Sequence, residues 1–218
     1  MPTKLKCELH CHSKFSSCSN LKLETILEKC QEQGIRVIAI TDHNTIQGAL
    51  GLLRLKPAEL QVIIGEEIMT SEGELLAYFL KQEVPSLLSP EETIYLIKGQ
   101  GGVVGVSHPF DKIRRSVLRQ EALLRLKSQL DFIEIFNSRC LLPTWNKKAS
   151  SFAKQEKILG LVGSDAHFVE EIGRSLTLLK DVSTPKTFMD SLSSAEFKTA
   201  YSPLSVFKSK LLKTVKSY

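Results

Sequence analysis

Short apolar runs alternate with segments of helical periodicity along almost the whole chain. The apolar runs predict strands at residues 6–12, 36–41, 61–69, 74–80, 102–107, 132–136, 158–163 and 176–179. Several of these runs are apolar throughout, which is typical of strands buried on both faces. The alternation indicates successive βα units rather than an all-β protein or a helical bundle.

Helical signals lie between these runs. Leu23, Ile26 and Cys30 fall on one helical face, and Gly34 follows as a C-terminal stop. Residues 89–92, with the sequence Ser-Pro-Glu-Glu, combine an N-cap, a proline at the first helical position and a capping glutamate. The sequence therefore predicts strands and helices in alternation.

A β/α barrel and an open doubly wound sheet both fit this alternation, and periodicity does not separate them. We predict the barrel, because about seven strands are available and polar residues follow nearly every strand, as in barrels with sites built from βα loops. A doubly wound sheet would gather its site at one switch point.

Length and charge favour one compact domain over residues 1–218. The chain has 218 residues, of which 42% are hydrophobic and 24% are charged.

Residues 203–218 contain four lysines and no acid, so they carry +4 of the net +5 and leave the body nearly neutral. Apolar residues recur near helical spacing there, and we predict a closing amphipathic helix over 203–218 rather than a nucleic-acid or membrane footprint.

The sequence shows neither a leader segment nor a run of eighteen apolar residues. We therefore expect a cytoplasmic protein with no membrane partner.

Five cysteines without a C-x-x-C pair argue against a disulfide framework and for reduced thiols. The sequence leaves the oligomeric state open.

All five histidines lie at or just past the ends of predicted strands, beside other potential metal ligands. They are His10 and His12 in E-L-H-C-H, His43 in T-D-H-N, His108 in S-H-P-F and His167 in G-S-D-A-H. Residues two apart on a strand share a face, so the first two histidines point the same way, and Asp165 forms a similar pair with the last one.

Carboxylates complete this pattern. Imidazole nitrogens with carboxylate oxygens suit zinc, manganese or iron(II). Glu66 and Glu67 follow the apolar part of the third strand, and alternation lets only one of them face inward. We predict Glu67, which matches the spacing of the family pattern described next.

In order, H-x-H, T-D-H-N-T, G-E-E-I, S-H-P-F and G-S-D-A-H resemble the motifs of the polymerase and histidinol phosphatase (PHP) family of metal-dependent phosphoesterases. The resemblance covers residues 6–177. It implies a distorted seven-stranded, TIM-like barrel of the PHP type with two or three divalent ions (Mn, Zn or Fe). The implied ligands are His10, His12, His43, Glu67, His108, Asp165 and His167.

Within this set, the resemblance implies that Glu67 bridges the first ion to a second near His108. A third ion would contact His43 and His167. Asp42 would orient a ligand or handle a proton.

The sequence departs from the family at the third ion. Family members commonly place an aspartate or histidine ligand five or six residues after the second histidine, where this chain has Ser17 and Cys18. Cys18 is either a thiolate ligand or an ordinary loop thiol. Asn137, at the end of the sixth strand, stands where some members have another ligand.

The resemblance implies phosphoester hydrolysis by a metal-bound hydroxide. A phosphoryl substrate also needs fixed cations. Arg139 is the first candidate for phosphate contact and for catalysis, because it lies close to a strand end; Arg115 and Lys112 come next, near Arg114. The expected substrate is a small phosphorylated molecule or a nucleotide.

Other functions stay open. A nuclease acting on nucleic-acid ends would use the same chemistry, with nucleic acid as a partner. A metal-dependent C–N hydrolase of the amidohydrolase type also begins with H-x-H and has a late aspartate. A non-catalytic metal-binding module is the third alternative.

Overall fold

A computed structural model of the protein describes residues 4–206. One sheet runs through it, with the strands β1 Leu5–Cys11, β2 Val37–Ile40, β3 Gln61–Thr70, β4 Gly73–Tyr78, β5 Val103–Val106, β6 Phe132–Asn137, β7 Leu159–Gly163, β8 Leu176–Leu179 and β9 Glu196–Lys198. The helices are α1 Leu23–Gln33, α2 Gln47–Arg54, α3 Pro90–Gly99, α4 Gln120–Leu126, α5 Pro143–Glu156 and α6 Pro185–Leu192.

The sheet curls until its two ends approach each other. Its strand order is β7-β6-β5-β4-β3-β2-β1-β8-β9. The chain after β7 meets the end of β1: the His12 N–H donates to the Ala166 carbonyl (2.9 Å), and the Ala166 N–H donates to the His10 carbonyl (3.2 Å). These bonds nearly close the sheet into a barrel and bring the first and last histidine motifs together.

Strand direction departs from a simple βα repeat at β4. β1, β2 and β3 pair in parallel, as do β5, β6 and β7, but β4 is antiparallel to both neighbours. A tight turn joins β3 to β4, and Gly73 adopts a φ of 122° there. The first residues of β4 therefore lie at the same barrel end as the last residues of β3.

The mixed α/β, barrel-like fold predicted from the sequence is confirmed, and each predicted strand matches an observed one. The count of seven strands is wrong, since the described residues form nine. The unpredicted strand β9 has three exposed residues and so lacks the apolar pattern that marks a strand. The closing helix predicted over 203–218 lies mostly outside the described residues, and the one-domain prediction stays a prediction.

The barrel interior below the histidines is packed with apolar side chains. Tyr78 stacks on Phe132 with ring centroids 5.0 Å apart, and Phe188 from α6 meets the Tyr78 ring edge-on. The Tyr78 hydroxyl donates to the Leu9 carbonyl at 2.7 Å, so this large ring is buried with its polar atom satisfied. This packing supports the part of β1 that carries His10.

The cysteines belong mainly to the core. All five are free, and four of them are buried. Cys11 packs with Leu23 and Ile26 of α1, so it faces the helices while its neighbours in the His-Cys-His motif face the barrel. Within residues 4–206, no helix is long and apolar enough to cross a membrane.

Candidate metal centre

The five histidines and three carboxylates converge at one end of the barrel. His10 lies in β1 and His12 directly follows it, His43 follows β2, Glu67 lies in β3 and His108 follows β5. Glu74 comes from the start of β4, and Asp165 and His167 follow β7. All of these side chains are buried except that of His43, which is 30% exposed.

Four predicted ligands surround one point. His10 Nε2 and His12 Nε2 lie 3.2 Å apart. Oε2 of Glu67 is 3.5 Å from the first nitrogen and 3.3 Å from the second. Oδ1 of Asp165 lies 3.6 and 3.2 Å from the same two nitrogens.

Glu67 extends this group toward His108 and His43. Its Oε1 is 3.1 Å from His108 Nε2, and its Oε2 is 3.3 Å from His43 Nδ1. One carboxylate thus contacts four imidazoles, which is the arrangement needed for a bridging ligand. Glu74 joins from the other side, with Oε1 3.3 Å from His43 Nδ1.

Cys18 belongs to a third group of potential ligands. Its Sγ lies 3.0 Å from His167 Nε2, and ligand atoms of His12, Cys18, His43 and His167 all lie within 4.8 Å of one another. The structure therefore brings together the three residues relevant to a third ion. Ser17 is not part of this group.

The residues present fit divalent cations. With bonds of about 2.1 Å, two ligands of one ion stand about 3.0–3.4 Å apart, close to the separations observed here. Among the described residues, four buried atoms of the cluster have no hydrogen-bond partner: Glu67 Oε2, Glu74 Oε2, His108 Nδ1 and Asp165 Oδ1. Buried polar atoms are ordinarily paired, and a bound cation would satisfy the carboxylate oxygens.

Surrounding groups orient the imidazoles. His10 Nδ1 is 3.0 Å from Oε1 of the buried Glu134, and His167 Nδ1 is 2.8 Å from the Asp165 carbonyl. His12 Nδ1 is 3.1 Å from Ser16 Oγ. Each contact fixes a ring so that Nε2 faces the cluster, which is a recurrent feature of metal-ligating histidines.

Asp42 acts on the cluster through serines. Its carboxylate accepts hydrogen bonds from the Ser13 N–H (2.7 Å), the Ser13 hydroxyl (2.6 Å) and the Ser16 hydroxyl (2.6 Å). Because Ser16 also contacts His12, the fully buried Asp42 holds the loop that positions this ring. This placement favours an orienting role over proton transfer to a reacting group.

Backbone conformation and close strand packing constrain the positions of residues in the site. His108 and Asp165, each two residues past the end of β5 or β7, have φ values of 31° and 55°, in the left-handed region that residues with side chains rarely adopt. Gly163 lies where a Cβ atom would be 2.5 Å from both His10 Cβ and Glu134 Oε1. The close approach of β7 to β1 therefore requires glycine at this position.

The charges of the cluster are strongly coupled. Burial alone would raise the pKa of Glu67, but His10 and hydrogen bonds to neighbouring imidazoles hold it well below its usual range. Burial would lower the pKa of His12, but the nearby carboxylates of Asp165 and Glu67 raise it to about 9. Burial and the nearby Glu67 charge raise the pKa of Glu74 to about 8.

A cleft of about 400 Å³ opens onto this cluster. Its lining includes Cys18, His43, Glu74, Arg114, Arg115, Arg139 and His167. Arg114 Nη2 lies 2.5 Å from Asp165 Oδ2, and Arg139 Nε lies 3.4 Å from Glu171 Oε1. Lys112 is exposed and is not among the lining residues, so the structure does not bring it to the cleft.

The sequence analysis did not identify Glu74 or Glu134 as part of the site. It also did not single out Arg114 as the basic residue that contacts Asp165. The first two lie within predicted strands, but no histidine stands beside them and nothing in the pattern showed that β4 runs antiparallel. Arg114 stood among other basic residues with nothing to distinguish it. Asn137 is nearby, but its amide is occupied by hydrogen bonds to surrounding groups.

Solved structures share this fold. A two-domain protein from Bacteroides vulgatus ATCC 8482, containing a predicted PHP-like metal-dependent phosphoesterase, superposes with a TM-score of 0.73 at 17% identity. The match covers 91% of this chain and 66% of that one. Endonuclease Q, in complex with a 27-mer duplex substrate with an abasic lesion, gives a TM-score of 0.66 at 18% identity, covering 89% and 58% of the two chains. These likenesses concern the fold alone.

Sequence comparison decides the family. Residues 143–197 match a family model described as PHP-associated. An uncharacterized protein of Methanocaldococcus jannaschii is 36% identical over 197 residues, covering 88% of this chain and 77% of that protein. The chain belongs to the PHP family. A second uncharacterized protein from the same organism is 40% identical over 145 residues, covering 62% of this chain and 82% of that protein.

Membership of the PHP family confirms the resemblance predicted from the five sequence motifs. The family is metal-dependent, and this PHP chain has His, Glu and Asp clusters that could bind metal ions. The role of each side chain belongs to the proposal that follows.

Proposed function

We propose that this PHP protein is a metal-dependent hydrolase of phosphate esters, acting on a small phosphorylated molecule or a nucleotide. The observation that carries the proposal is the junction of a histidine–carboxylate cluster with a cleft lined by Arg114, Arg115 and Arg139. A phosphorylated substrate in this cleft would meet fixed positive charges and the metal centre at the same place.

In this proposal the ions occupy two or three positions. His10, His12, Glu67 and Asp165 would hold the first, and Glu67 and His108 would help to hold a second. Cys18, His43 and His167 would hold the third. The ligand types suit zinc, manganese or iron(II). When bound, the ions supply Lewis acidity that activates water and neutralises phosphate charge.

The arginines bind and orient the phosphate. A guanidinium presents parallel N–H donors that match two phosphate oxygens. Arg114 is held by Asp165, and the buried Arg139 is held by Glu171, so both enter the cleft from fixed positions. Asp42 acts as a positioning residue through Ser16 and His12.

The cleft volume favours a small substrate. About 400 Å³ lies at the lower end of the range for small-molecule sites. A nuclease acting on strand ends is the second candidate, supported by the shared fold with endonuclease Q; because one fold serves many reactions, this support is by analogy.

Substrate preference tests the proposal. The chelated protein is reconstituted with manganese or zinc and assayed on an aryl phosphate monoester, an aryl phosphate diester, mononucleotides and short oligonucleotides. Metal-dependent monoester hydrolysis is expected, while preferential cleavage of oligonucleotide ends would support the nuclease. Bound metal with no phosphoester turnover would contradict the proposal and direct attention to C–N substrates or a non-catalytic module.

A further inference from the structure

We propose that Ile113 and Leu141 select substrates in which an aromatic ring is attached to the phosphate ester. The inference rests on the proposed function and names the substrate class of the same site. Both residues line the cleft that opens onto the candidate metal centre. The ring would belong to the non-phosphate part of the ester, as a simple aryl group or as the base of a nucleotide.

Ile113 and Leu141 are the aliphatic members of a cleft that is otherwise polar. The other lining residues carry a charge, an imidazole, a hydroxyl or a thiol. Ile113 is 63% exposed and Leu141 is 47% exposed, and neither belongs to a hydrophobic core cluster of residues 4–206. Single exposed apolar side chains are common on protein surfaces, but here two of them line one cleft beside its arginines. Apolar side chains in a ligand cleft supply contact area to the apolar part of the ligand.

A buried aspartate fixes the turn that carries Ile113. Asp111 is 4% exposed, and its Oδ1 accepts a hydrogen bond from the Ile113 N–H at 3.1 Å. Its Oδ2 accepts one from Arg114 Nε, also at 3.1 Å. One carboxylate therefore fixes the backbone of the apolar residue and the guanidinium of the next residue, so both groups enter the cleft from the same turn.

Leu141 is placed by the loop after β6. The Arg139 N–H donates to Asn137 Oδ1 at 2.9 Å, and the Cys140 N–H donates to the Asn137 carbonyl at 3.2 Å. Leu141 follows this turn directly, and α5 begins two residues later at Pro143. The short segment that carries Leu141 is therefore held at both ends.

Arg114 connects the two loops. Its Nη2 lies 3.4 Å from Asn137 Oδ1 and 2.5 Å from Asp165 Oδ2. Each loop thus contributes an arginine and an apolar side chain to the cleft, and the loops are linked to each other and to the candidate metal centre. An ester that filled the cleft would have cations available for its phosphate and apolar surface available for its other part.

The two apolar side chains would discriminate against polar esters. The hydroxyl groups of a sugar phosphate would lose water where Ile113 and Leu141 offer no hydrogen-bond partner, and this loss costs free energy. An aromatic ring has no such cost and gains from the removal of apolar surface from water. A preference of about tenfold or more is typical of apolar contacts in an enzyme pocket.

The test compares esters that release a primary alcohol in every case but differ in the presence of a ring. Benzyl phosphate is compared with glycerol 3-phosphate, and adenosine 5′-phosphate with ribose 5-phosphate, on the full-length protein reconstituted with Mn²⁺. We expect kcat/KM to be at least about tenfold higher for the ring-bearing ester in at least one pair. The pair that shows the preference tells whether the ring is a simple aryl group or a nucleobase.

Substitution of the two residues should reduce this preference. Ile113→Ala and Leu141→Ala should each lower the ratio of kcat/KM values by about threefold to tenfold, as expected for the loss of one or two methylene contacts. Leu142→Ala is the matched control, because that leucine is 50% exposed but does not line the cleft, and its ratio should equal that of the unsubstituted protein.

Two results would overturn the inference. One is an unsubstituted protein that hydrolyses both members of each pair equally well. The other is a preference that Ile113→Ala and Leu141→Ala both leave unchanged. Circular dichroism verifies that the variants are folded, as expected for substitutions of exposed side chains outside the core.

Binding of phosphonates separates this inference from the hydrolase proposal. Benzylphosphonate and methylphosphonate have no ester bond to hydrolyse, and calorimetry measures their binding to the Mn²⁺-reconstituted protein. Tighter binding of benzylphosphonate that is lost in Ile113→Ala and Leu141→Ala, with no turnover of any ester, would contradict the hydrolase proposal and leave the ring site standing. Ester turnover with equal binding of the two phosphonates would contradict the ring site alone.

Discussion

Arg114 and Asp165 form a contact, 2.5 Å between Nη2 and Oδ2, that joins the cleft to the candidate metal centre. The other carboxylate oxygen, Oδ1, faces His10 and His12. One aspartate thus links the guanidinium proposed to bind phosphate with the imidazoles proposed to bind metal.

Replacing Arg114 should separate substrate binding from metal binding. In Arg114→Gln, we expect kcat/KM for a phosphate monoester to fall about tenfold to hundredfold, the effect of losing a charged hydrogen bond. Metal content should be retained, because removing a positive charge does not weaken cation binding. Elemental analysis with steady-state kinetics checks this, and loss of metal together with activity would assign Arg114 to the metal centre instead.

Arg139 is predicted to contact the phosphate in the same cleft as Arg114. Arg139→Ala should lower turnover and leave metal content intact, since this arginine lines the cleft and pairs with Glu171 but offers no ligand atom to a cation. Arg119→Ala, an exposed arginine outside the cleft, is the matched control and should keep normal rates. An unchanged rate in Arg139→Ala would remove this residue from the proposed catalytic group.

Cys18 should give a spectroscopic signal if it binds the third ion. Thiolate coordination to Co²⁺ produces a sulfur-to-metal charge-transfer absorption in the near ultraviolet, and we expect this band in the cobalt-substituted protein. Cys18→Ser should abolish the band. Cys140→Ser provides the control, since that buried thiol does not belong to any of the metal-ligand clusters. A spectrum that Cys18→Ser leaves unaltered would show that Cys18 is an ordinary loop thiol.

Gly163 should be needed for metal binding although it bears no side chain. The added methyl group of Gly163→Ala would lie 2.5 Å from His10 Cβ and from Glu134 Oε1. We expect destabilisation by about 1–3 kcal/mol and weaker metal binding, as overpacking displaces His10.

Gly99→Ala serves as the control for this prediction, because the added Cβ meets nothing within 4 Å. It should change stability by less than about 1 kcal/mol. Thermal unfolding and metal titration of both variants check the pair, and equal behaviour would show that the approach of β7 to β1 tolerates a side chain.

Much of the candidate site could be predicted because strand alternation is visible in sequence. Spacing of two placed His10 with His12 and Asp165 with His167, and the structure brings all four to the cluster. Alternation also indicated that only one of Glu66 and Glu67 faces inward, and the family pattern selected Glu67. The Glu66 side chain accepts a hydrogen bond from the Val84 N–H instead.

The sequence did not show which strands run parallel and which run antiparallel. An apolar run has the same pattern in a parallel and in an antiparallel strand. The hairpin between β3 and β4, and with it the position of Glu74, could therefore not be predicted from the sequence. The same holds for Arg114, since a loop between β5 and α4 decides which of several basic residues reaches Asp165.

The most direct test of the central claim is metal content and phosphate monoester hydrolysis measured together for the unsubstituted protein, His10→Ala and His12→Ala. We expect the unsubstituted protein to bind at least two ions, to lose turnover on chelation and to regain it with Mn²⁺ or Zn²⁺, while both variants lose bound metal and turnover together. Full activity in either variant without metal loss, or turnover that survives complete chelation, would contradict a metal-dependent reaction at this cluster.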